Sequence, residues 1–263
     1  MPVFSSAALR SSVVSRLRAA GCVFAEEEAR ILLTAADTPA ELAAMVRARA
    51  EGRPLEHVVG WAEFAGLRIA VDPGVFVPRR RSGFLAAAAA RLTRPGALVV
   101  DLCCGSGALG AAVAATAGHP VELYAADLDP AAVRCARRNL AGTGALVFEG
   151  DLFAALPDTL RGRVEVLIAN VPYVPTGDIE LLPPEARLHE ARPALDGGLD
   201  GLDVLRRVAS EAPGWLAAGG SLLFETSERQ AAGALAVARA AALRAVASRE
   251  EELDATVVIA TRS

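Results

Sequence analysis

The chain has 263 residues, 53% hydrophobic and 22% charged, with a formal net charge of −4. That length allows one large α/β domain, or a large domain beside a small one. The acidic balance argues against broad nucleic-acid binding, no apolar run approaches the ~18 residues of a membrane span, and no N-terminal stretch has the order of a secretory signal.

A soluble, cytoplasmic protein is therefore expected. Its four cysteines (Cys22, Cys103, Cys104, Cys135) form no Cys-x-x-Cys pair, and its three histidines lie far apart. Reduced thiols and no metal site are the expectation.

In chain order, Leu9, Val13 and Leu17 recur at helical spacing, as do the apolar residues of 25–33, with Gly21 between the two runs. Thr38-Pro39 is a helix start, threonine as cap and proline in the first turn, for a helix over 41–50 that Gly52-Arg53-Pro54 closes. This helical module holds too little apolar surface to stand alone. Phe64, Leu67, Ile69 and Val71 around Gly66 then predict a short β-hairpin, ended by Asp72-Pro73-Gly74.

From Ala97 strands and helices alternate. Strands are predicted over 97–102, 121–126, 145–148, 164–169, 221–224 and 256–260. Helices are predicted from Ala108, from Asp129-Pro130, over 202–216 and over 231–243. Buried strands joined by helical crossovers specify a doubly wound α/β sheet.

Four segments carry chemistry. Asp101-Leu102 ends a strand that runs into Cys103-Cys104-Gly105-Ser106-Gly107 and then a helix. Gly105 and Gly107 permit positive φ and close approach of a ligand, and the helix start offers free N–H groups; such a turn also occurs as a purely structural feature. Asp127 follows at the next strand end, where a carboxylate accepts the hydroxyl protons of a ribose. Asp129 beside it reads equally as an N-cap before Pro130. In Gly150-Asp151-Leu152-Phe153 the carboxylate would accept from the exocyclic amine of adenine with Leu152 or Phe153 on the ring, or simply open a surface loop. Finally, Asn170-Val171-Pro172-Tyr173 ends the fourth strand with a stiff polar claw. The Asn170 side-chain oxygen and the Val171 carbonyl would hold the two hydrogens of a carboxamide or exocyclic amine and aim its delocalised lone pair at a sulfonium methyl, with Tyr173 packed on the planar acceptor. Positioning is most of the catalysis in such a transfer. The alternative for this segment is a turn with a buried tyrosine.

These residues resemble the class I S-adenosylmethionine methyltransferases, and more specifically the release-factor glutamine methyltransferase family. Asp101 to Gly107 is similar to the family's cofactor turn, Asp127 to its ribose acid, Asp151 to Phe153 to its adenine segment, and Asn170 to Tyr173 to its Asn-Pro-Pro-Tyr motif. Further likeness runs through Arg53-Pro54-Leu55 to Gly60, Glu63-Phe64, Val77-Pro78-Arg79, Glu190 to Leu195, Gly197-Gly198 and Asp200-Gly201-Leu202.

The resemblance implies a Rossmann-like methyltransferase domain over 77–263, a hairpin linker over 53–76 and a substrate-recognition module over 1–52. It implies S-adenosyl-L-methionine held by Asp101, Cys103, Cys104, Gly105, Ser106, Gly107, Asp127, Asp151, Leu152 and Asn170. It also implies methylation of the glutamine in the Gly-Gly-Gln loop of peptide chain release factors. The chain departs from the family at three places: Cys103 replaces the first glycine of the turn, which costs little if φ there is ordinary; Val171 replaces a proline; and Ser82-Gly83 replaces Thr-Glu, removing a carboxylate near the cofactor site. Its helical module is also about one helix shorter.

Two other readings remain at this point, an adenine-specific nucleic-acid methyltransferase with the same claw, and a non-catalytic relative that keeps the cofactor fold. Arg79-Arg80-Arg81 with Arg91 and Arg94 would serve an acidic or RNA-associated partner, or form a solvated face. No stable nucleic-acid binding is expected, and no apolar stripe suggests more than a monomer.

Overall fold

The computed structural model describes residues 6–263. It opens with helices α1 (Ala7–Ala19), α2 (Ala25–Ala35) and α3 (Pro39–Ala50). The Thr38 hydroxyl accepts from Glu41 N at 3.1 Å, the cap expected of Thr38-Pro39. A short helix, α4 (Leu55–Val59), follows unannounced by the sequence. Its Leu55, Val58 and Val59 pack on a small core of Val13, Leu17, Leu32, Leu42 and Val46, so the module's core reaches past Pro54. Inside it the buried Arg49 and Glu28 are paired at 2.7 and 3.1 Å. The same guanidinium reaches Glu185 at 2.7 Å, on the segment that later covers the cleft.

Strands β1 (Trp61–Phe64) and β2 (Leu67–Ala70) form the expected hairpin. Ala65 (φ 50°) and Gly66 (φ 78°) are both left-handed, as a two-residue turn between right-twisted strands demands.

The rest of the chain gives α5 (Gly83–Leu92), β3 (Leu98–Leu102), α6 (Ala108–Thr116), β4 (Glu122–Asp127), α7 (Pro130–Leu140), β5 (Leu146–Glu149), β6 (Val164–Ala169), α8 (Pro184–His189), α9 (Asp203–Trp215), β7 (Leu216–Thr226), α10 (Ala231–Ala240), β8 (Leu243–Glu250) and β9 (Ala255–Arg262). Seven strands make one sheet in the order β5-β4-β3-β6-β7-β9-β8, with β9 antiparallel to both its neighbours. Alternation sorts the side chains. Val99, Val166, Ile168, Leu223 and Val257 pack towards α5, α6 and α7, while Val100, Leu167, Leu222, Phe224 and Val258 pack towards α9 and α10. This is the doubly wound, Rossmann-like architecture that the alternating pattern specifies.

Helix α5 was not anticipated, because Phe84-Leu85 and five consecutive alanines carry no polar contrast from which a period can be read. Strand β8 was missed because it is an edge strand with exposed polar residues, defined by its pairing along β9. Among the described residues, no helix is long and apolar enough to cross a membrane.

Candidate active site

Sheet register builds the site. Ala126, Leu102, Ala169 and Phe224 are partners across β4, β3, β6 and β7. The next residue of each strand, Asp127, Cys103, Asn170 and Glu225, therefore stands in one row at the carboxyl ends. Strand order reverses between β3 and β6, which is where open α/β sheets bind ligands. A cleft of about 740 Å³ opens there, lined by residues of that row, of the hairpin region and of the 182–195 segment.

The glycine turn divides its labour. Gly105 (φ 54°) lines the cleft, and a Cβ there would meet nothing within 4 Å, so its hydrogen serves the backbone conformation and the open space above it. Gly107 (φ 77°) does not line the cleft; a Cβ would press on Ala136 and on Leu140 at 3.2 Å, so it serves the packing of α6 on α7. Asp101 is also outside the cleft, fully buried behind the turn. Its Oδ2 accepts from Gly110 N at 2.9 Å, its Oδ1 has no partner among the described residues, and burial pushes the carboxyl up to about 7. Cys103 corrects an expectation: its φ is 54°, left-handed and not ordinary, so the cysteine sits in a conformation that suits glycine, at a cost. Burial raises the Cys104 thiol well above its usual range, so it is a neutral packing residue.

Asp127 is fixed by accepting from Gly105 N (2.8 Å) and Asp129 N (2.9 Å), one bond to each oxygen, and burial raises its pKa against those donors. Each oxygen keeps lone-pair capacity for a further donor. Asp129 caps α7 by accepting from Ala131 N at 2.8 Å, the bland reading of that residue. Asp151 lines the cleft, exposed and paired with Arg207 at 2.7 Å. Leu152 lines the cleft at φ 49°. Phe153 does not: it is buried and stacks on Trp215 with centroids 5.2 Å apart, which removes it as a ring-packing candidate.

The Asn170–Tyr173 segment is clamped from behind by the glycines of 197–201. Val174 N donates to Leu195 O (3.1 Å), Gly197 N to Val174 O (2.8 Å), and Gln230 Nε2 to Tyr173 O (2.9 Å). A Cβ on Gly197 would lie 2.7 Å from both Pro172 O and Gly201 O, and one on Gly201 would collide with Tyr173 O. Val171 and Pro172 are buried, whereas Asn170 and Tyr173 are half-exposed to the cleft. Asn170 Oδ1 is itself buried and finds no hydrogen-bond partner among the described residues. A buried amide oxygen without a donor is costly, and it belongs to a residue that lines the cleft.

Glu225 was missed, although the strand-end rule that marked Asp127 and Asn170 marks it equally. It is buried, and it accepts from the Ser82 hydroxyl (2.6 Å), Arg81 Nε (2.9 Å) and the Tyr173 hydroxyl (2.9 Å). Arg81 Nη2 also donates to the Tyr173 oxygen at 2.7 Å. Ser82 and Arg81 thus hold a carboxylate on β7 behind the Tyr173 hydroxyl. Burial and Glu225 push the Tyr173 hydroxyl up to about 12, so it stays protonated. Three arginines of the run are paired, Arg79 with Glu190 (2.6 Å), Arg81 with Glu225 (2.9 Å) and Arg94 with Glu165 (2.7 Å), while Arg80, Arg81, Arg91 and Arg94 stay exposed.

The methyltransferase small domain family matches residues 66–199. A release factor glutamine methyltransferase of Geobacter sulfurreducens is 40% identical over 198 residues, 73% of this chain and 68% of that protein. One from Cereibacter sphaeroides is 35% identical over 263 residues and spans 91% of both chains. A 4-amino-L-phenylalanine/4-methylamino-L-phenylalanine methyltransferase of Streptomyces pristinaespiralis is 38% identical over 74% of this chain and 68% of its own length. A likeness that extends at 35% identity through helical module, hairpin and sheet alike leaves no doubt of kinship, and the chain belongs to the release factor glutamine methyltransferase family.

Proposed function

We propose that this protein transfers a methyl group from S-adenosyl-L-methionine to the side-chain amide nitrogen of a glutamine in a protein, the acceptor being the Gly-Gly-Gln loop of a peptide chain release factor. The observation that carries the reading is Asn170 Oδ1, buried at the switch point without a donor. A carboxamide N–H supplies that donor.

The residues present fit the cofactor. Asp127 offers acceptor capacity to a ribose diol, Gly105 leaves open space beside the turn, and Leu152 gives an apolar surface for a base with Asp151 nearby. Cys103, Cys104 and Ser106 complete that wall, with Asp101 and Gly107 supporting it from behind. When bound, S-adenosyl-L-methionine supplies a methyl on a cationic sulfur that departs as a neutral thioether.

The chain's own residues then position the acceptor. Asn170 Oδ1 and the Val171 carbonyl take the two amide hydrogens and turn the nitrogen lone pair towards the cofactor side, while Pro172 stiffens the segment. Tyr173, its hydroxyl tied to Arg81 and Glu225, presents its ring to the planar amide and is no base, being protonated to about 12. None is needed, because the methylated nitrogen is acidic enough to lose its proton to water.

Residues 1–52, with α4 of the 53–76 linker packed on their core, would hold the protein substrate, and 77–263 carry the chemistry, in a cytoplasmic monomer. Nucleic-acid adenine is the less favoured acceptor, since the chain as a whole carries a net charge of −4.

The test is Asn170→Ala. Transfer should fall at least about 100-fold while cofactor affinity, measured by calorimetry, stays within about threefold. Transfer near the wild-type rate would end the claw mechanism.

A further inference from the structure

Beside the reacting groups, α7 carries a residue that none of the foregoing chemistry uses. Asn139 is half-buried on the last turn of α7, and its amide is saturated by backbone. Its Oδ1 accepts from Ala70 N at 2.9 Å, and its Nδ2 donates to Ala70 O and to Ser106 O, both at 2.8 Å. Ala70 is the last residue of β2 and pairs with Trp61 on its other side. The amide therefore does for the free edge of the hairpin what another strand would do. Its second hydrogen holds the carbonyl of Ser106, in the turn between Gly105 and Gly107.

The other contacts of α7 with the hairpin region stop there. Cys135 Sγ donates to Ala70 O (3.0 Å) and Arg138 pairs with Asp72 (2.7 Å). Of these three side chains on one helix face, spaced i, i+3 and i+4, only Asn139 reaches the glycine turn. Phe64 on the hairpin lines the same cleft as Gly105 and Ser106.

We propose that Asn139 is a positioning residue for the cofactor, locking the glycine turn and the hairpin wall to each other through one amide. The inference rests on the reading that this cleft takes S-adenosyl-L-methionine. Gly105 and Ser106 have little side chain to fix them, so the turn's geometry depends on hydrogen bonds to its backbone. Asn139 supplies one of them from a rigid helix.

The experiment is calorimetric binding of S-adenosyl-L-homocysteine to the full chain and to Asn139→Ala, Asn139→Asp, Cys135→Ala and Arg138→Ala, with melting temperatures alongside. Asn139→Ala should weaken binding at least tenfold. Asn139→Asp, which keeps the acceptor for Ala70 N but sets a carboxylate against the Ser106 carbonyl, should weaken it at least as much. Cys135→Ala and Arg138→Ala should bind within twofold of wild type, even where they melt lower. In steady-state transfer, Asn139→Ala should raise KM for the cofactor in parallel with its Kd and leave kcat unchanged. Equal weakening in all four variants, tracking melting temperature, would overturn the proposal by making it a matter of hairpin docking. Binding within twofold for both Asn139 variants would overturn it directly. Failure of the wild type itself to bind would instead overturn the cofactor reading, and this inference with it.

Discussion

Cys103 shows how a single dihedral decides what a substitution means. At φ 54° the residue holds a backbone state that L side chains adopt at a cost of about 1–2 kcal/mol. Glycine there would be free of that cost but would lose more entropy on folding, about 0.5–1 kcal/mol. Cys103→Gly should therefore be between neutral and about 1.5 kcal/mol more stable than wild type, whereas β-branched Cys103→Val should lose about 2 kcal/mol or more. Urea denaturation of the two variants checks this; the opposite order would mean an ordinary φ.

Asp101 gives a pH signature. Its folded pKa, about 7, lies above the ordinary 3.8 because the carboxyl is buried. The protonated form is favoured in the folded chain, so the group's contribution to stability is whole below about pH 4 and is lost as pH rises through about 7. Asp101→Asn keeps an acceptor for Gly110 N and cannot ionise. Without cofactor, its melting temperature should exceed that of wild type at about pH 8, and the gap should close towards about pH 4. A gap independent of pH would contradict the burial of an ionisable Asp101.

At this scale Asp127 and Asn170 were legible because a polar residue that ends an apolar strand has few structural reasons to be there. Glu225 obeys the same rule directly after the strand expected over 221–224, but no neighbouring motif singles it out in the sequence. The φ of Cys103 was not legible at all, because it is imposed by the turn around it.

At the scale of elements, the strands that carry the site were readable from uninterrupted apolar runs, and the sheet's topology followed from their alternation with helices. What the pattern hid was support. Helix α5 has no polar face to mark it, and β8 depends on β9. The clamp behind the claw is a set of glycines whose meaning lies in what they touch. Gly201→Ala would drive a methyl into Tyr173 O at a position with φ 77°. It should cost at least about 2 kcal/mol and depress transfer at least about 100-fold, by moving the claw. Gly177→Ala, where a Cβ meets nothing within 4 Å, is the matched control and should be near neutral in both measurements. Equal effects from the two changes would remove the clamp from the account.

At the scale of the whole molecule, the acceptor is decided by more than the claw. An arylamine nitrogen is also planar and delocalised, and Asn170 would hold it as well as a carboxamide; one relative is named for such a substrate. What favours a protein is the helical module, tied through the buried Arg49 and its partner Glu185 to the segment covering the cleft. A small-molecule enzyme has no evident use for that coupling. The most direct measurement is transfer of labelled methyl from S-adenosyl-L-methionine to purified release factors, wild type beside Gly-Gly-Gln→Gly-Gly-Ala variants. The account predicts label on the wild-type factors alone. Label on both, or on neither while the protein demonstrably binds cofactor, would contradict it.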